Sequence, residues 1–493
     1  MFLQRHTHNL LLAAAVLLLV LRFLYLGDVP FINDEPALQL LLEKHAAEGS
    51  VPSYGLYGSQ PIPYGPSALW LYAALRIIST NSIFLFAAFA FLQTLALVFL
   101  YFAIRSFFSA KSAAWSVLLA ASSPYLFFYS RLLWDNNLLV LLSAALLWLL
   151  SKWWGDYQEG AWRFSSVEWL FFGLLSGLAL NTHLMAGFIL LGLWGFAFYL
   201  LRSMKAGASQ ILKLFGVAVA ALVLISLPYL AAIYKLWPQI SSSDFQRNAL
   251  PAMDFVTTLF RSTWYMGYES YFEYFYRGSL EEFYTFAGGL RWLCDFHVSW
   301  VLRMAVLFIL LRPFFSPKQF SAQPLRIWLS VFWILHCLGE FLAGTTGHPH
   351  YYISIWWLPF VVLAYLLTRE GLMGRIIKLL TLGVVLLNLG VLFLGMSFIK
   401  QNQGTRGQGY GPTLENQEAL VLELCTAMQR EGRDWVAIDW SQTQVFSHSI
   451  QYLMMRRPEC QGLGVGFAPG APIVLDYADS PPGSAKLVLR RRQ

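Results

Sequence analysis

Apolar runs of about 20 residues, the length a helix needs to cross a lipid bilayer, recur from the start of the chain to about residue 399. In hydrocarbon every backbone N–H and C=O must find its partner within the segment, so runs of this kind fold as a helical bundle and an open sheet is excluded. Composition agrees: 57% of the 493 residues are hydrophobic and 12% are charged, where a soluble protein carries about a quarter charged residues. The runs fall at 9–26, 82–104, 111–129, 136–153, 167–182, 184–201, 214–233, 291–311, 327–343, 352–368 and 376–398, which predicts about eleven transmembrane helices. The first run contains Arg22, is followed by no small-x-small cleavage site and leads into further spans, so it reads as a retained helix rather than a secretory signal.

The net charge of +7 is scattered through short loops instead of forming a stripe, which argues against nucleic acid as a partner. With the N-terminus inside, Arg105 and Lys111, Lys152 and Arg163, Arg202, Lys205 and Lys213, Arg312, Lys318 and Arg326, and Arg369, Arg375 and Lys378 all fall in inner loops. This predicts a multi-pass protein with a cytoplasmic N-terminus, residues 1–400 forming the membrane domain, and residues 27–81, 234–290 and the tail on the outer face. The tail opens on Gly-rich "NQGTRGQGYGPT", a flexible linker by composition, and continues with a helical pattern near Glu415–Arg430 and strand-like "DWVAIDW" and "APIVLDYA". Residues 401–493 are therefore expected to form a small extracytoplasmic α/β domain. The four cysteines lack metal-ligand spacing; Cys425 and Cys460 share the exported tail, and a disulfide between them fits an oxidising compartment.

The outer loops carry the candidate chemistry. "NDEPALQLLLEKHAAEG" starts a short interfacial helix, with Leu38, Leu41, Leu42 and Ala46 on one face and Gln39, Glu43 and Glu48 on the other. Asp34 and Glu35 at its start either cap the helix or supply a general base, and a cap needs one oxygen, not two. Burial beside apolar residues would raise such a carboxylate towards useful basicity. "SPYLFFYSRLLWDNN" sets Arg131 and Asp135 four apart, on one face if the helix continues through them, either as an ion pair or as a phosphate grip with its acid. His183 in the "NTH" hairpin is open to a hydrogen-bonded structural reading. "GHPHYYISIWW" brings His348, His350, Tyr351 and Tyr352 to the head of the tenth helix, where aromatic and His belts are common, and no acidic partner nearby supports a metal. A divalent metal is thus unsupported by ligand spacing, and hydroxyl and phosphate contacts are preferred. Lys44 is a further basic candidate for the donor phosphate.

The acidic pair after the first span, "GSQPIPYGPSALWLYAALRI", "SPYLFFYSRLLWDN", the short "NTH" hairpin and "HPHYY" with Pro359 together resemble the bacterial branch of the protein O-mannosyltransferase and lipid A aminoarabinose transferase superfamily, membrane glycosyltransferases of the GT-C type. The resemblance covers roughly residues 9 to 400. It implies an inverting transfer of a sugar from a polyprenyl phosphate carrier to a hydroxyl acceptor (lipid, glycan or protein), in a bacterial inner or plasma membrane. The residue matching the family's first-loop acid is Asp34, with Glu35 beside it, and Asp135 matches the second-loop acid. Two departures stand out: Pro36 follows the acidic pair, which leaves open which carboxylate is the base, and the tail beyond 400 matches no known pattern. Rival classes are a transporter or flippase of lipid-linked sugars, against which the lack of an internal repeat argues, and a scaffold that keeps the fold without turnover.

Overall fold

The computed structural model describes residues 2–31, 34–57, 62–161, 163–241, 252–268, 271–295, 297–315, 324–343, 349–406, 409–439, 447–478 and 484–491, without the side chains of residues 2–7, 34, 241 and 252–254. Each apolar run is helical: Phe2–Leu21, Ser82–Phe107, Ala110–Ser122 with Pro124–Tyr129, Leu138–Gln158, Ser166–Thr182, Ala186–Ser203, Ala208–Ser241, Ser299–Phe315, Pro324–Ala343, Pro349–Ile355 with Leu358–Leu367, and Gly371–Asn402. Among the described residues seven helices are long and apolar enough to cross a membrane, eight if a bent pair is counted as one span. The difference from eleven lies in short and broken segments. The 111–129 run divides where Ser123 takes an extended conformation before Pro124 and its hydroxyl accepts from Leu126 N at 3.4 Å. In the 352–368 run, Pro349–Ile355 meets Leu358–Leu367 at 59°, with Pro359 in the first turn of the second piece.

Glycine lets two helices of the bundle touch. A Cβ on Gly173 would lie 2.1 Å from the Ala218 carbonyl oxygen, so the Ser166–Thr182 and Ala208–Ser241 backbones are in direct contact there. Beside that seam Trp153 and Trp169, both fully buried, stack at 4.6 Å.

In the tail, helix Leu414–Glu431 is capped by Thr413. It precedes strands β1 (Trp435–Asp439), β2 (Gly464–Phe467), β3 (Ile473–Tyr477) and β4 (Leu487–Arg491), with helix Ser447–Arg456 between β1 and β2. The sheet order is β2-β1-β3-β4, parallel except for the antiparallel β3–β4 pair. Cys425 and Cys460 form a disulfide, Cα to Cα 5.2 Å. The hydrophobic core of this unit crosses the expected boundary at 400. Leu420, Val421, Leu424, Ile450 and Leu453 of the tail share one buried cluster with Val29, Phe31, Leu38, Leu42, Leu69 and Tyr72 of the first outer loop.

The linker is more ordered than its composition suggests. Tyr410 N donates to Phe275 O at 2.7 Å and its hydroxyl to Asp28 O at 2.5 Å, while Thr405 and Gly411 exchange two hydrogen bonds of 2.9 Å. Glycine here admits close contact rather than motion, since a Cβ on Gly409 would lie 2.2 Å from Phe275 O.

Candidate active site

Helix Asp34–Ala47 is not the surface-lying amphipathic helix its pattern suggests. Leu38 and Leu42 enter the core shared with the tail, but Gln39 and His45 are buried as well, because tail and loop cover more than one side. Glu35 is 3% exposed. The side chain of Asp34 lies outside the described residues. Further along the helix, Glu43 is paired with Arg76 and with Arg456, the latter at 3.4 Å. Lys44 is 67% exposed on its side chain and faces Glu48 at 4.0 Å, so it is a surface ion pair and not part of the buried cluster.

The second acidic segment is bent. The helix stops at Tyr129 and Asp135–Asn137 is a single 3-10 turn, so Arg131 and Asp135 do not share a helical face. The bend is fixed by Asn137, whose Nδ2 donates to Tyr129 O (3.0 Å) and Leu132 O (2.9 Å), and by Gln93, whose Nε2 donates to Asn137 O at 2.7 Å. Asp135 is buried and its Oδ1 accepts from Asn136 N at 2.7 Å. Arg131 turns the other way. Its Nη2 donates to Tyr25 O, its Nη1 reaches Met396 Sδ at 3.7 Å, and its guanidinium lies over the Phe127 ring at 5.1 Å. Burial pushes its pKa down from the ordinary value. Tyr25 is in the left-handed region at φ 54°, where a bulky side chain is rare, so Arg131 holds the strained corner at which the first loop leaves the membrane helix. The expected phosphate fork is thus engaged by protein groups.

The two acidic segments meet on a residue that the sequence did not single out. Tyr72, on the twelve-residue helix Ser67–Ile78, is fully buried, and its hydroxyl has no hydrogen-bond partner among the described residues. Burial first, then the carboxylates of Asp135 and Glu35, push its phenol well above the ordinary range. It is therefore held as a neutral O–H donor within the field of both acids.

His183 is a packing residue. Its Nδ1 accepts from Met185 N at 3.2 Å, its ring lies 4.7 Å from Tyr64, and burial pushes its pKa down to about 4. Burial therefore favours its neutral form at physiological pH. The same hairpin receives the first loop: a Cβ on Gly65 would lie 2.1 Å from Asn181 O, and Ser67 Oγ donates to Leu178 O at 3.0 Å.

His350 lies near the second acid. Its ring is 4.7 Å from Trp134, the residue before Asp135, and 4.2 Å from Tyr351, and its Nδ1 is 3.3 Å from the Tyr274 hydroxyl. Tyr352 is buried against Trp264 and His336. His348 lies outside the described residues. Behind this turn sits a buried pair that the sequence reading passed over: His336 Nε2 is 3.4 Å from Glu340 Oε1 and 3.1 Å from Tyr351 O, and its Nδ1 is 3.2 Å from Ser354 Oγ. Its signal was present as two ionisable residues four apart in an apolar span, "WILHCLGEF". No group of three His, Cys, Asp or Glu side chains placed to hold a metal occurs among the described residues.

Glu35, Asp135 and Tyr72 thus come together, with Trp134 and His350 adjoining, while Arg131, His183 and Lys44 point elsewhere. Residues 59–230, which include Tyr72, Arg131, Asp135 and His183, match the family model described as dolichyl-phosphate-mannose-protein mannosyltransferase. The matched stretch spans about a third of the chain.

No curated protein matches at a significant level. Among solved structures, the chain is similar to the Saccharomyces cerevisiae protein O-mannosyltransferase Pmt1-Pmt2 complex bound to the sugar donor, at 18% identity over 50% of this chain and TM-score 0.36. This chain covers 36% of that protein's length. It is also similar to ArnT from Cupriavidus metallidurans bound to undecaprenyl phosphate, at 13% identity over 98% of this chain and 97% of that one, TM-score 0.48. A third likeness is to the Archaeoglobus fulgidus oligosaccharyltransferase in complex with Zn and sulfate, at 14% identity over 96% of this chain and 64% of that one, TM-score 0.49.

Proposed function

We propose that the protein is an inverting glycosyltransferase that moves a sugar from a polyprenyl phosphate carrier to a hydroxyl acceptor on the outer face of the membrane. The observation that carries this reading is that the helix Ser67–Ile78, with its buried Tyr72, packs against both the helix that carries Glu35 and the turn that carries Asp135. The acceptor oxygen attacks the anomeric carbon, the bond from that carbon to the phosphate oxygen breaks, and the acceptor proton passes to a carboxylate. Asp34 is assigned as that base and Glu35 as its partner. General-base assistance is worth roughly 100-fold to 10,000-fold in rate. Asp135 and Tyr72 then order the acids, and His350 with Tyr351 lines the side towards the donor phosphate. The outer-face assignment draws support from the inner-loop Lys and Arg excess and from the Cys425–Cys460 disulfide, a bond that persists in oxidising compartments.

The test incubates purified protein with radiolabelled polyprenyl phosphate sugars and candidate acceptors. Release of free polyprenyl phosphate together with a labelled acceptor is the expected result. Movement of the intact sugar lipid across liposomes, with no transfer, would replace the enzyme by a transporter.

A further inference from the structure

The acid-bearing helix is anchored by the tail, and the anchoring has a specific form. Gln417 Nε2 and Ser449 Oγ, on two different tail helices, both donate to one acceptor, the backbone carbonyl of Phe31, at 2.9 and 2.7 Å. Both side chains are completely buried. A carbonyl oxygen offers two lone pairs, so these two donors saturate it and fix the plane of the peptide that leads towards Asp34 and Glu35. The surroundings remove the remaining freedom. Leu414 N donates to Val29 O at 2.9 Å, and Gln417 Nε2 also reaches Pro412 O at 3.0 Å. The Phe31 ring lies between Phe86 of the bundle (6.2 Å) and Tyr452 of the tail (5.7 Å). Two turns past Glu35, the same tail takes hold again: Arg456 Nη1 is 3.4 Å from Glu43 Oε1, and its Nη2 donates to Thr80 O at 3.4 Å. The disulfide joins Cys425, on the helix that carries Gln417, to Cys460, just beyond the helix that carries Ser449, so the two donors keep their spacing.

From this geometry we infer that the 401–493 tail is a positioning frame for the active site, with Gln417 and Ser449 as positioning residues that set the start of the Asp34–Ala47 helix, which carries Glu35. The inference rests on the glycosyltransferase reading for its catalytic consequence, but not for its structural one. Misplacement of a reacting group by about 1 Å costs on the order of 100-fold in rate, so small rotations of this helix are felt in turnover.

The experiment uses the full-length protein in detergent or nanodiscs, with Ser449→Ala, Gln417→Met and their combination, Ser449→Thr as the conservative rescue, and Glu418→Gln as a tail-surface control. Two readouts are taken: kcat and KM for sugar transfer, and hydrogen exchange of amides 35–42. The expected result is a graded kcat loss, about 10-fold for a single variant and about 100-fold for the pair, at nearly constant donor KM, with faster exchange at 35–42, recovery in Ser449→Thr and no change in Glu418→Gln. If the double variant does not fold, the two singles and the rescue carry the test. Unchanged exchange at 35–42, a rise in KM alone, or faster exchange with full turnover would each overturn the inference. Faster exchange in a protein that transfers no sugar under any condition would leave the frame standing and remove the glycosyltransferase reading instead.

Discussion

Two short stretches of chain, one before Glu35 and one around Tyr351, are each held by a backbone carbonyl, and they are held in opposite ways. Phe31 O takes neutral donors from residues 386 and 418 positions away in sequence, whereas Tyr351 O takes an imidazole 15 positions away, itself beside a buried carboxylate. The outer segment thus depends on a remote, covalently stapled unit. The Tyr351 turn depends on a local side chain in the preceding helix, where an unpaired polar group would be most costly.

The largest effect that could break this division is on the acids themselves. Asp34→Asn, which still caps a helix but cannot accept a proton, should lower turnover at least 100-fold with normal expression and donor binding, and Glu35→Gln should be less severe. A greater loss at Glu35 would exchange their roles, and full activity in both singles and the double variant would reduce the pair to a cap. Next in size is the staple. Opening the 35-residue separation between Cys425 and Cys460 by Cys→Ala at both should destabilise the tail by roughly 3 to 4 kcal/mol and loosen the outer segment while the bundle helices keep their helical content. Simultaneous melting of both regions, followed by circular dichroism and limited proteolysis, would show that the two anchors are not separable.

A smaller effect concerns pH. His183 sits folded with its pKa pushed to about 4, so its neutral form is favoured, and stability is fully present above its ordinary value near 6.5 and is lost as pH falls from there towards 4. In that window the unfolded chain binds the extra proton. The midpoint of thermal unfolding should fall accordingly in the wild type, and His183→Gln should flatten the dependence; an equal slope in the variant would assign it to another group. The smallest expected effect is at Lys44, exposed beside Glu48, where Lys44→Ala should leave donor KM within about twofold if it is an ordinary surface pair.

The membrane segments were readable in the sequence because hydrophobicity and helix length are local properties: each expected run is helical, and those that fall short of a full span are short helices or break next to a proline or in a 3-10 turn. The acids were readable one at a time for the same reason. The packing of their segments was not, because Tyr72 in "LWLYAAL" looks like one more core aromatic, and nothing in a helical pattern reveals that its helix packs against both acid-bearing segments. The partners of Arg131 were not readable because they depend on where Tyr25 and Met396 arrive, residues 106 and 265 positions away. His336 and Glu340 could have been found, since an ionisable pair spaced by one helical turn inside an apolar span is a local signal.

The bond from Leu414 N to Val29 O closes a loop over most of the chain, and that has a consequence for biogenesis. A ribosome adding roughly 5 to 20 residues per second takes on the order of 20 to 80 seconds to make the stretch between Phe31 and Gln417. Throughout that interval the residues up to Phe31 have been made, but the anchors of Phe31 O have not. The segment that carries Glu35 is therefore anchored by a part of the chain made long after it, so a chain stalled before Gln417 presents that segment without the donors that hold Phe31 O.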